Sequence, residues 1–194
     1  MHMRCIQIQT ISAVIFCAIA VLTVPTVAAA GGESALLLKS REITAQFATE
    51  LQTALKQSMG SGGPIAAIGV CKDMAPQIAA DLSRETGATV SRTSLKVRNK
   101  ANTAAPWQMQ ILHDFDATET PAEYFEQVGK NGARYMKPIP TAGLCLACHG
   151  SELSPDIRDR LDEAYPGDQA RGYDIGDIRG AFSVVWADQK PANE

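Results

Sequence analysis

The chain has 194 residues, of which 45% are hydrophobic and 20% charged, and its formal net charge is −3. That length fits one domain with a real core and argues against several domains. The acidic balance offers a nucleic-acid partner nothing to bind.

At the N-terminus, Arg4 precedes the apolar run Ile11 to Val24, which Pro25 and Ala28-Ala29-Ala30 close. The run is short for a bilayer span and ends in small residues that suit a signal peptidase, so residues 1–30 read as a secretory signal peptide. Cys17 follows the bulky Phe16 and does not read as a lipoprotein site. The expectation is a periplasmic domain over 31–194 with no membrane attachment after cleavage. It would carry 17 basic and 21 acidic side chains, a net of −4. It would keep Cys71, Cys145 and Cys148, and an odd number argues against a pure disulfide framework.

Leu36, Ile43, Phe47, Leu51, Leu55 and Met59 recur at helical spacing, which predicts a long amphipathic helix over 33–59 that stops at Gly60. Gly60 to Pro64 reads as a turn. Pro64 to Gly87 is helical again, contains Cys71, and has Pro76 at a kink or second start. Thr89 to Arg98 alternates like a half-buried strand, with Thr93, Leu95 and Val97 on one side and Arg92, Ser94, Lys96 and Arg98 on a basic one. Trp107, Ile111 and Phe115 predict a short helix capped from Asn102 or Thr103.

Asn131-Gly132 between two short apolar runs signals a hairpin, and Thr120-Pro121-Ala122-Glu123 resembles a helix start just before it. Ser154-Pro155 opens a helix to about Ala164, and Ala181 to Trp186 reads as a final strand. The outline is α+β: long N-terminal helices, then a small antiparallel sheet with inserted helices.

The chemistry concentrates in Cys145-Leu146-Ala147-Cys148-His149. Two thiols at this spacing reach the two vinyl groups of a haem, and the adjacent imidazole then stands under the iron. Export strengthens this, since c-type haem is attached outside the cytoplasmic membrane. A thioredoxin-like redox pair would want a βαβ context, and a structural zinc would want a fourth ligand such as Cys71. For the other face of a haem iron the sequence leaves open Cys71, His113, Met59, Met74, Met109 and Met136. Arg92, Lys96 and Arg98 are the densest cations in the chain and read either as haem-propionate partners or as a solvated face.

Four runs of residues occur in order: Ile68-Gly69-Val70-Cys71-Lys72-Asp73-Met74-Ala75-Pro76; Arg92 to Asn99; Met136-Lys137-Pro138-Ile139 leading to the cysteine motif; and Tyr165-Pro166-Gly167-Asp168 with Gly172-Tyr173 and Gly176 to Ala181. Over about residues 36–187 the chain resembles the bacterial periplasmic c-type haem domain with a PAS-like fold found in front of sensor kinases. The resemblance implies one covalent haem c held by Cys145 and Cys148, with His149 and a thiolate at the position of Cys71 as axial ligands. Members usually read Arg-Asn-Pro where this chain has Arg98-Asn99-Lys100. No kinase or membrane segment follows residue 194, so a free-standing soluble copy is expected.

Three functions compete. A redox- or gas-responsive sensor would release Cys71 on reduction and take up carbon monoxide or nitric oxide, signalling to an unidentified protein. An electron carrier would keep six ligands throughout and meet a redox partner. An enzyme would need an acid-base residue such as His113 above an open iron, which a thiolate there would block. The expectation is a sensor, with an electron-transfer cytochrome as the alternative, and no enzymatic activity.

Overall fold

The structure, a computed structural model, describes residues 33–118 and 122–188. The expected signal peptide over 1–30 lies outside the described residues, as do Thr120 and Pro121 of the expected helix start.

Helix α1, Ala35–Gly69, buries Ile43, Phe47 and Leu51 and so uses the expected stripe. It does not stop at Gly60. The break comes at Gly63, with φ 65° and ψ −164°, and Pro64 restarts the helix. Proline bars its predecessor from the helical region, and a glycine accepts the left-handed alternative without a Cβ penalty, so the kink lands beside Pro64. The chain then passes through a π-helical turn, Val70–Met74, directly into α2, Ala75–Thr86, which Gly87 ends in the left-handed conformation.

Four antiparallel strands follow: β1 Thr89–Thr93, β2 Tyr124–Val128, β3 Gly132–Pro140 and β4 Ile178–Trp186, in the spatial order β1-β4-β3-β2. The last strand in sequence is thus internal. Alternation along each strand gives the sheet two covered faces. Tyr135, Phe182 and Val184 pack with Phe47, Ile78 and Leu82 beneath α1 and α2. Met136 and Ala181 pack on the other side with Leu112 and Phe115 of α3, Pro106–Asp116.

The strand expected over 89–98 ends at Thr93. Ser94 makes only an isolated bridge to Thr103, and its Oγ donates to the carbonyls of Lys96 at 2.9 Å and Arg179 at 2.8 Å, so the chain turns out of the sheet. The alternation beyond Thr93 therefore assigns no faces. The hairpin forms, but β2 and β3 pair from Val128 to Gly132 around a three-residue loop in which Gly129, at φ 64°, takes the left-handed position expected of Asn131-Gly132. Helix α3 is capped at Ala105, whose N–H donates to Gln108 Oε1 at 2.8 Å, not from Asn102 or Thr103. Helix α5 spans Pro155–Ala164 as expected, and β4 starts three residues before Ala181. No helix among the described residues is long and apolar enough to cross a membrane.

Candidate functional site

The motif forms the short helix α4, Gly143–His149. Cys145 and Cys148, three residues apart, fall on one side of it, and neither is in a disulfide. Cys148 packs into a small core made by Ile68 at the end of α1 with Leu161, Ala164 and Tyr165 at the end of α5. Burial pushes its thiol pKa up.

The segment after α5 wraps the end of α4. The Tyr173 N–H donates to the His149 carbonyl at 3.0 Å and the Gly172 N–H to the Gly150 carbonyl at 3.2 Å. His149 is buried, with Nδ1 2.8 Å from the Ala170 carbonyl. A carbonyl only accepts, so Nδ1 carries the proton and Nε2 keeps its lone pair, which faces Arg98 Nη1 at 3.4 Å. Burial, then the positive charges of Arg179 and Arg98, hold the imidazole pKa well below its usual value. A neutral imidazole donating Nδ1–H to backbone is the arrangement that orients a metal-ligating histidine.

Cys71 sits on the π turn between α1 and α2. It lines a narrow space of about 50 Å³ with His149, Cys145, Cys148, Met59, Tyr165, Arg92, Arg98 and Arg179. Leu51, Leu55, Leu144, Cys145 and Arg179 also border a wider cavity of about 990 Å³ running between α1 and β3 toward Arg41 and Lys137. Burial, and after it the nearby Cys71, raises the Tyr165 phenol to about 12.

The three basic residues singled out from sequence separate. Arg92 is in the cavity wall, 5.8 Å from the centre of the Phe47 ring, and burial lowers its pKa. Arg98 also reaches the cavity, but its guanidinium is engaged by Asp168 Oδ1 at 3.0 Å, the Cys148 carbonyl at 2.6 Å, the Ala170 carbonyl at 3.0 Å and His149 Nε2 at 3.4 Å. Its side chain is 9% exposed and that of Asp168 is 0%. Lys96 does not line the cavity; its Nζ stands 4.5 Å from the centre of the Tyr173 ring on an exposed residue. Lys100 begins a short 3₁₀ turn capped by the Asn99 side chain, so the turn after Arg98 forms without the proline usual there.

Among the open axial candidates, only Cys71 and Met59 line the narrow space. His113 is exposed, Met74 and Met109 are 47% and 38% exposed, and Met136 is fully buried on the α3 face of the sheet. No group of three or more His, Cys, Asp and Glu side chains comes together among the described residues, so Cys71 does not complete a zinc set with the motif.

Sequence reasoning missed Arg179 and Asp168. Arg179 borders both spaces, and its buried Nε has no hydrogen-bond partner. Both residues stood in the runs that carry the family resemblance, the one available signal, but neither had a local pattern that named its role.

The model of the Tll0287-like family matches residues 28–186. The crystal structure of the cyanobacterial heme-protein Tll0287 superposes with a TM-score of 0.67 at 25% sequence identity, covering 82% of this chain and 99% of that one. No curated protein matches the sequence.

Proposed function

Because this chain belongs to the Tll0287-like family and binds haem, we propose that the haem is a covalent haem c, joined to Cys145 and Cys148 and ligated by His149 and Cys71, in a PAS-like periplasmic sensor. The observation that carries this reading is the cavity itself. Its narrow part is lined by the two thiols, a neutral imidazole, Cys71 and the cations Arg92, Arg98 and Arg179, and Leu51, Leu55, Leu144, Cys145 and Arg179 carry that lining into the wider space of about 990 Å³. Arg179 Nε, buried without a partner, and Arg92, which forms no ion pair among the described residues, fit the carboxylates of a haem better than they fit an empty apolar cleft. Arg98 is already committed to Asp168 and two carbonyls, so the propionate role read for it from sequence passes to Arg92 and Arg179.

When bound, a haem supplies a one-electron iron couple whose potential depends on its axial ligands. The protein's own contribution is to hold His149 neutral and oriented, to exclude water with Leu51, Leu55 and Leu144, and to place Cys71 on a π turn joining two helices. A change in what the Cys71 sulfur binds is felt at that junction, which is what a sensor of redox state, or of carbon monoxide or nitric oxide, requires. His113 stands exposed and outside the cavity lining, so the reading assigns no catalytic role.

One observation favours an electron carrier instead. Met59 shares the narrow space with Cys71, and a thioether ligand would give an ordinary six-coordinate cytochrome of raised potential. Absorption spectra of the ferric and dithionite-reduced protein, with and without carbon monoxide, separate the two. A thiolate signature lost on reduction, followed by gas uptake, supports the sensor; low-spin spectra in both states without gas uptake support the carrier.

A further inference from the structure

Arg98 and His149 use the same acceptor. The Ala170 carbonyl lies 2.8 Å from His149 Nδ1 and 3.0 Å from Arg98 Nη2. The other end of that residue is also held, since the Ala170 N–H donates to Asp168 Oδ1 at 2.9 Å. Asp168 in turn accepts from Arg98 Nε at 3.0 Å and from Arg171 Nε at 2.8 Å. Arg98 Nη2 also binds the Cys148 carbonyl, immediately before His149 in the chain, at 2.6 Å. One planar guanidinium thus spans the backbone on which the imidazole is mounted and the carbonyl to which it donates, a geometry a lysine cannot reproduce.

We infer that Arg98 and Asp168 are positioning residues of opposite effect: Arg98 weakens, and Asp168 restores, the electron donation of His149 to the iron it binds. This rests on the proposal that His149 is an axial haem ligand. A carbonyl already accepting from a cation is a poorer acceptor for Nδ1–H, so Arg98 keeps His149 from gaining imidazolate character. Arg98 is also a buried positive charge beside the ligand, which favours the reduced iron. Asp168 offsets that charge and draws the guanidinium toward itself.

The test is the midpoint potential of the haem-loaded protein. Arg98→Gln frees the shared carbonyl, removes the cation and leaves Asp168 with less compensation, and all three push the potential down. Asp168→Asn removes the anion and pushes it up. A merely structural role, in which either change loosens the mount of His149, moves both variants in the same direction. Opposite shifts, with the His149 Nδ1–H proton resonance moving downfield in Arg98→Gln, bear the inference out. Shifts of the same sign, or none, overturn it. Should Arg98→Gln fail to accumulate, Arg98→Lys takes its place: it keeps the charge but loses the fork, so a smaller downward shift with the same downfield resonance is expected, and an unmoved resonance overturns the inference. A low-spin ferric spectrum unchanged in His149→Ala instead refutes the axial assignment of His149 on which this inference rests, and it is read before any potential is measured.

Discussion

The ring of Phe47 on α1 lies 5.0 Å from that of Phe182 on β4, tilted by 52°. Phe182 borders the wider cavity while Phe47 is fully buried behind it, so this contact fastens α1 to the internal strand and fixes one wall of the site. Phe47→Ala should cost about 3–5 kcal/mol, through lost burial and the cavity left behind. Urea unfolding followed by circular dichroism measures it, and a loss below about 1 kcal/mol would mean that α1 is not anchored here.

Arg179→Gln should leave haem attached and lower its potential. At a separation of about 10 Å a unit charge would act on an iron with on the order of 1–2 kcal/mol at an effective dielectric of about 20, which is tens of millivolts for a one-electron couple. Potentiometric titration of wild type and variant reads the shift directly, and equal potentials would remove Arg179 from the carboxylate role.

Cys71→Ser should retain the haem yet change the ferric spectrum markedly, because a hydroxyl does not replace a thiolate as a ligand. Met59→Leu should leave the ferric spectrum as it is. The reverse pattern, a silent Cys71→Ser and an altered Met59→Leu, would transfer the axial position to Met59.

Replacing both Cys145 and Cys148 with alanine should release the haem. The denatured wild type should stay red after acid-acetone extraction and the double variant should become colourless. A wild type that bleaches equally would show the attachment to be non-covalent.

Burial alone would raise the Asp168 carboxyl, but hydrogen bonds from Arg98, Arg171 and the Ala170 N–H outweigh it, and the net shift is downward. A depressed native value means that this contribution to stability is present above the ordinary carboxylate value of about 3.9 and is lost as pH falls through the lowered native one. Asp168→Asn should therefore destabilise the protein at neutral pH and flatten the acid end of its stability curve. Denaturant midpoints measured from pH 7 down to pH 3 report this, and parallel curves for the two proteins would contradict it.

Much of the fold was legible because it is local. Helical spacing marked Ile43, Phe47 and Leu51, the hairpin and α5 announced themselves in turn and cap residues, and the α+β outline holds. What misled was also local. Gly60 looked like a stop, but the restriction imposed by Pro64 acts on Gly63. Alternation continued past Thr93 on paper, while the Ser94 hydroxyl turned the chain out of the sheet.

The sequence by itself determined the chemistry: two thiols and an imidazole at fixed spacing on one short helix, a pattern complete within five residues. The tertiary structure decided who surrounds that helix, sending Lys96 onto an exposed face against Tyr173, turning Arg98 into a clamp on Asp168, and bringing Arg179 into the cavity wall. It also reduced six axial candidates to Cys71 and Met59. The reason is range: the motif needs only neighbours along the chain, whereas the partners of Arg98 lie 50 to 72 residues away and meet it only when the segment after β1, α4 and the segment after α5 have packed together.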